Sequence, residues 1–126
     1  MKKYSGSCHC QKVTFEIETD LKTMSECNCS ICTKKGALHH PVSEEHFRLL
    51  TGSDALTLYQ FNTKTAKHYF CKHCGIHPFS MPRLAPEMYS VNIRCLDDYY
   101  TLLPVLEKRS FDGVNWEKSA AKFKKA

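Results

Sequence analysis

No apolar run in this chain of 126 residues comes near the roughly 20 that a helix needs to cross a bilayer. A Gly-rich phosphate loop is missing, as are a Ser-His-Asp arrangement, an internal repeat and any low-complexity stretch. These absences set aside phosphate-cradling nucleotide enzymes, triad hydrolases, repeat proteins and flexible linkers. Glycine and proline number five each and tryptophan one, which does not fit a fibrous or Pro/Gly-rich disordered chain. Neither sign of charge dominates: 18 Lys and Arg against 13 Asp and Glu leave +5. That balance suits an anionic small ligand or weak nucleic-acid contact. The basic residues are dispersed, without the interleaved aromatics of a single-strand binder, which argues against nucleic acid. Met1-Lys2-Lys3 resembles the start of an export signal, but polar Tyr4-Ser5-Gly6-Ser7-Cys8-His9-Cys10 follows where an apolar segment should be. The expected location is therefore cytoplasmic.

With 42% hydrophobic and 25% charged residues, the sequence reads as one folded domain over 1–126. The end, 118–126, reads as a frayed basic tail carrying Lys118, Lys122, Lys124 and Lys125.

What the chain has in abundance is cysteine, eight in all. In a reducing compartment such a number means metal or redox chemistry, and spacing decides which. Cys8-x-Cys10, Cys27-x-Cys29-x-x-Cys32 and Cys71-x-x-Cys74 are close clusters, suited to chelating an ion and poorly suited to long-range disulfides. Thiolate-rich tetrahedral sites select zinc or iron–sulfur, and no iron–sulfur spacing fits, so zinc is the expected metal. Cys8 and Cys10, two apart in an extended backbone, share a face. Cys71-Lys72-His73-Cys74-Gly75 reads as a knuckle whose Gly75 can take positive φ. Cys8, Cys10, Cys71 and Cys74 then make a closed structural zinc site.

Cys27-Asn28-Cys29-Ser30-Ile31-Cys32 can aim three sulfurs at one point. Structural zinc takes four protein ligands, whereas catalytic zinc keeps three and an open position. The cup is open unless Cys95, His39, His40 or His77 arrives as a fourth ligand. Lys34, Lys35, His39 and His40 follow and place donors and positive charge near it. Thr33 to Pro41 reads as a short helical turn stopped at Gly36.

Val13 to Glu18 alternates as a half-buried strand, and Phe47–Leu50, Leu56–Phe61 and Lys67–Phe70 read as further strands. Glu87 to Cys95 alternates throughout, which puts Cys95 with Tyr89, Val91 and Ile93 on a core face. Leu102 to Glu107 is expected as an edge strand, because Pro104 cannot donate to a ladder. His77 reads as a hydrogen-bonded packing residue, His9 and His73 as exposed.

Gly6-Ser7-Cys8-His9-Cys10, the three-thiol segment and Phe70-Cys71-Lys72-His73-Cys74-Gly75-Ile76-His77 together resemble the glutathione-dependent formaldehyde-activating enzyme family, also called the centromere-protein-V-like domain. Gly36-Ala37-Leu38-His39-His40, Leu56-Thr57-Leu58-Tyr59, Ser90 to Asp97 and Phe111-Asp112-Gly113-Val114-Asn115-Trp116-Glu117 support the resemblance, which spans nearly the whole chain. It implies a mainly β fold, a tent of packed antiparallel sheets with short helical turns. It also implies two zinc ions, a structural one on Cys8, Cys10, Cys71 and Cys74 and a catalytic one on Cys27, Cys29 and Cys32. The implied activity is a carbon–sulfur lyase making or cleaving S-hydroxymethylglutathione. On this reading the partner is a small thiol, zinc activates it, and His39, His40 or His77 moves the hydroxymethyl proton. Asn28, Ser30 and Lys34 are assigned as contacts for the thiol ligand. The competing classes are a zinc-stabilised module binding protein or nucleic acid and a redox or metal-storage protein. Edge strands and the Trp116 segment leave a homo-oligomer possible.

Overall fold

A computed structural model describes residues 1–125. In chain order the elements are β1 (Lys2–Ser7), β2 (Thr14–Thr19), β3 (Thr23–Cys27), α1 (Ser30–Lys35), β4 (His39–Val42), β5 (Phe47–Thr51), β6 (Leu56–Tyr59), β7 (Lys67–Cys71), β8 (Phe79–Met81), β9 (Tyr89–Asn92), α2 (Tyr99–Leu102), β10 (Glu107–Phe111) and α3 (Trp116–Lys125). The protein is mainly β, as the resemblance implies. One sheet has the order β1-β2-β5 and the other β10-β3-β4-β9-β8-β7-β6. Pairing is antiparallel except between β3 and β10, which run parallel with Cys27 opposite Phe111. No described helix is long and apolar enough to cross a membrane.

The alternation in β2 does what its pattern requires. Val13, Phe15 and Ile17 are fully buried, each such burial contributing about 1.5–3 kcal/mol. The sheets meet through aromatic rings: Phe15 and Phe79 lie 6.3 Å apart, and Phe47 stacks on Tyr89 at 4.0 Å. A second cluster of Cys8, Val13, Ala55 and Cys71, flanked by Leu49, Leu56 and Cys74, surrounds the four-cysteine site.

Three expectations change. The strand at Tyr89 stops at Asn92, whose side chain accepts from the Arg94 N–H and turns Ile93–Cys95 into a 3-10 helix. Ser90, Val91 and Asn92 are all buried, since β9 lies between β4 and β8. Leu102–Glu107 is not a strand: its start ends α2, Val105 and Leu106 bond back to the Leu102 carbonyl, and the strand begins at Glu107. The C-terminal helix starts at Trp116, before the expected tail, and Trp116 packs under the Arg83 guanidinium at 3.7 Å while Glu117 pairs with Arg83 at 2.9 Å. Ala126 lies outside the described residues.

Candidate metal centre

The β1–β2 hairpin and the β7 knuckle bring the four-thiol cluster together. Cys8 and Cys10 sit in the hairpin loop rather than on an extended strand. The Cys8 N–H donates to the Val13 carbonyl, and Gln11 takes φ 65° as the chain reverses. In the knuckle, the Gly75 N–H donates to the Cys71 carbonyl at 2.8 Å and Gly75 has φ 77°, a conformation that L side chains rarely adopt. Cys8 and Cys10 sulfurs lie 3.5 Å apart, Cys10 and Cys71 sulfurs 3.6 Å, and all four belong to one cluster within 4.8 Å. Sulfurs at about 2.3 Å from a tetrahedral ion stand about 3.8 Å from one another, so the donor set fits a tetrahedral thiolate metal.

The cup forms where β3 ends and α1 begins. Cys29 is the N-cap, its sulfur accepting from the Cys32 N–H at 3.4 Å, and Gly36 ends the helix in the left-handed conformation. Capping thus turns Cys29 and Cys32 toward Cys27, and the three sulfurs lie within 4.8 Å of one another with no fourth His, Cys, Asp or Glu among the described residues. Three thiols this close cannot all ionise on their own. Hydrogen bonds from Cys27 and Cys32 hold Cys29 as the thiolate, with a pKa near 2, while the same contacts push Cys27 and Cys32 up. A bound cation would relieve that conflict.

None of the four residues considered as a fourth ligand joins the cup. Cys95 is buried, points its S–H at the His77 carbonyl at 3.5 Å, and burial pushes its pKa to about 12. His77 donates from Nδ1 to the Tyr69 carbonyl at 2.7 Å, leaving Nε2 to accept from Lys35 Nζ at 3.1 Å. His40 spends both nitrogens elsewhere, on Thr23 and Thr19. His39 uses Nδ1 with Ser90 at 3.0 Å, and its buried Nε2 has no partner.

A segment that the sequence reading did not connect to the cup covers one side of it. Parallel pairing sets Phe111 beside Cys27, and the loop that follows is fastened through Asn28. The Asn28 amide donates to Asp112 at 3.1 Å and its oxygen accepts from the Val114 N–H at 3.0 Å. Asn115 donates to the other Asp112 oxygen at 2.9 Å, and the Asn115 and Asn28 amides keep the Asp112 carboxyl below its usual range. Asn28 is therefore occupied with its own chain, where a ligand contact was expected. Ser30 and Lys34 are exposed on α1, and His9 and His73 are exposed beside the four-thiol site.

Gly113 approaches the cup so closely that a Cβ there would lie 2.6 Å from the Cys27 sulfur and 2.7 Å from the Cys29 Cβ. Its φ is not left-handed, so the demand is for space. Gly113→Ala is expected to lift the loop or spread the cup, destabilising the fold by about 1–3 kcal/mol and emptying the three-thiol site in the purified protein. Metal analysis checks this, and an unchanged metal content with an unchanged melting temperature would contradict it.

Lys35 turns inward where Lys34 turns out. Its Nζ donates to His68 Nδ1 and His77 Nε2, both at 3.1 Å, and its positive charge acts on all three cup thiols. Burial first, then the Lys35 charge, lowers His39 and His68 to about 4 and His77 to about 2. Each folded-state value lies below the unfolded value of about 6.5, so the unfolded chain binds these protons first. The stability they contribute is complete above about pH 6.5 and is lost as pH falls toward about 4 for His39 and His68 and toward about 2 for His77. Ring resonances of His39, His68 and His77 are expected to stay flat from pH 8 to pH 5. Titration of any of them with a midpoint near 6.5 would contradict the burial argument.

The sequence model of a family described as glutathione-dependent formaldehyde-activating enzyme matches residues 3–110. Among solved structures, a Rhodobacter sphaeroides protein is similar, with 36% identity, a TM-score of 0.75, and coverage of 82% of this chain and 98% of that one. The family match stops just short of the Asp112–Asn115 cover.

Proposed function

Because the chain belongs to the glutathione-dependent formaldehyde-activating enzyme family, we propose that it is a zinc-dependent carbon–sulfur lyase acting on the hydroxymethyl adduct of glutathione or a similar thiol. The observation carrying this reading is the three-thiol cup that no fourth described His, Cys, Asp or Glu completes. Zinc held by Cys27, Cys29 and Cys32 would supply an open position for the substrate sulfur and favour its thiolate below the free-thiol pKa of about 8.5. Cys8, Cys10, Cys71 and Cys74 would hold a second zinc, closed and structural.

In the cleaving direction the carbon–sulfur bond breaks and its electron pair goes to sulfur. The hydroxyl oxygen gives up its proton and forms the second bond to carbon, so the products are thiolate, formaldehyde and a proton. His39 is the group assigned to take that proton. Its Nε2 is buried and unpartnered, and the ring is neutral at pH 7, as a base must be. His40 and His77, the other two expected shuttles, have both nitrogens engaged. Lys35 offsets the negative charge that three thiolates leave around a divalent ion. The Gly113 backbone packs against one side of the cup, beside the Cys27 sulfur and the Cys29 Cβ.

The test follows formaldehyde release from S-hydroxymethylglutathione against the spontaneous rate. Zinc-loaded protein is expected to accelerate release, and His39→Gln to lower kcat by about 10²–10⁴ with little change in KM. No acceleration over the spontaneous rate would remove the lyase reading.

A further inference from the structure

Two buried histidines close on the ammonium of Lys35 from different parts of the chain. His68 comes from β7 and His77 from the segment between the Cys71 knuckle and β8. Nδ1 of His68 and Nε2 of His77 each accept a hydrogen bond from Lys35 Nζ at 3.1 Å. A ring nitrogen that accepts carries no proton, so Lys35 is held between two uncharged rings. Each ring is itself fixed. His77 donates from Nδ1 to the Tyr69 carbonyl at 2.7 Å and lies against Phe70, with ring centroids 5.1 Å apart. His68 stacks on Phe61 at 5.7 Å, and Phe61 stacks in turn on Tyr59.

A buried ammonium is ordinarily matched with a carboxylate. No ion pair among the described residues includes Lys35. That difference matters at the cup. Lys35 follows Cys32 by three residues on α1, which puts the two on one side of the helix, and its charge acts on Cys27, Cys29 and Cys32. A carboxylate in the clamp would cancel much of the ammonium's field at the sulfurs, whereas a neutral imidazole fixes the ammonium and leaves that field whole. From this arrangement we infer that His68 is a positioning residue for the three-thiol site: with His77 it clamps Lys35 as an unneutralised cation beside the sulfurs, and so sets how tightly the cup holds its zinc. The inference rests on the zinc cup proposed above and deepens it. A divalent ion among three thiolates is already net negative, and a substrate thiolate makes it more so, which a fixed cation offsets.

Three substitutions separate charge from packing at this position. His68→Asn puts an uncharged acceptor oxygen on Cγ, where Nδ1 is attached, and His68→Asp puts a charged one there. His68→Phe keeps a ring against Phe61 and has no acceptor. Zinc-loaded proteins are titrated with the chelator pyridylazo-resorcinol, and the cup ion is identified as the one missing from Cys29→Ser. His68→Asn is expected to hold that ion as the unaltered protein does. His68→Asp and His68→Phe are expected to release it at chelator concentrations lower by about tenfold or more, the usual effect of disturbing the partners of a metal site. Thermal melting of each variant checks that the fold is kept. Asn and Asp have nearly the same shape, so a side chain that only fills space would give both the same result. Equal release from all three variants, whether at the parent's chelator concentration or below it, would overturn the clamp and leave the lyase reading standing. The expected order in a protein that releases no formaldehyde would support the clamp and remove only the lyase reading.

Discussion

Cys71→Ser is expected to leave a chain that does not fold cooperatively. Cys71 is 1% exposed, ends β7, pairs with Leu56 of β6, and takes part in the four-thiol cluster with Cys8 and Cys10 of the distant hairpin. The site is therefore the cross-link between the small sheet and the far side of the large one. Structural zinc in small domains contributes roughly 10–16 kcal/mol of apparent binding energy, comparable to or above the about 5–15 kcal/mol that holds a domain folded. A serine oxygen is a poor substitute for thiolate, and the small core of Val13, Ala55 and Leu49 cannot make up the loss. Circular dichroism during heating should show no sharp transition, and a strong chelator should unfold the unaltered protein in the same way. A cooperative melt close to that of the parent would mean that sheet packing alone holds the fold.

Cys29→Ser is expected to do the opposite: leave the fold and remove the chemistry. The cup sulfurs are only partly buried, and the main core of Phe15, Ile17, Val91 and Ile93 does not include them. Serine keeps an N-cap acceptor for the Cys32 N–H, so α1 survives with a change of about 1 kcal/mol or less. The metal loses one of three ligands. Formaldehyde release should fall to the spontaneous rate and metal content should drop by one ion per chain. Unfolding on this substitution would make the cup a structural site, and retained turnover would place the reaction elsewhere.

The contrast between the two clusters was legible because ligand number and spacing are local properties. The Cys71 knuckle and the Gly36 stop likewise follow from short-range backbone rules, and structure and sequence agree on them. The assignment of both His39 and His40 to the cup ignored the period of a strand. β4 sends adjacent side chains to opposite faces, so only one of the two can look toward Lys35 and the thiols. Lys34 and Lys35 are distinguished by burial, which their identical chemistry does not reveal. The Asp112–Asn115 cover was beyond reach for another reason. It arrives through the parallel pairing of β10 with β3, about 84 residues apart, and nothing local to Phe111 or Cys27 encodes that partner. Gly113 carried the signal in principle, as a glycine in a stretch already singled out, but its need for space appears only once the sulfurs are beside it.

The central claim is that the three-thiol site holds zinc with a position left for the thiol of the substrate. Zinc X-ray absorption on the fully loaded protein tests it directly, because seven cysteine sulfurs shared by two ions average about 3.5 per zinc. Adding glutathione is predicted to raise that average to about 4, with no change in Cys29→Ser. An average that starts near 4, or one that stays near 3.5 in saturating glutathione, would contradict the account.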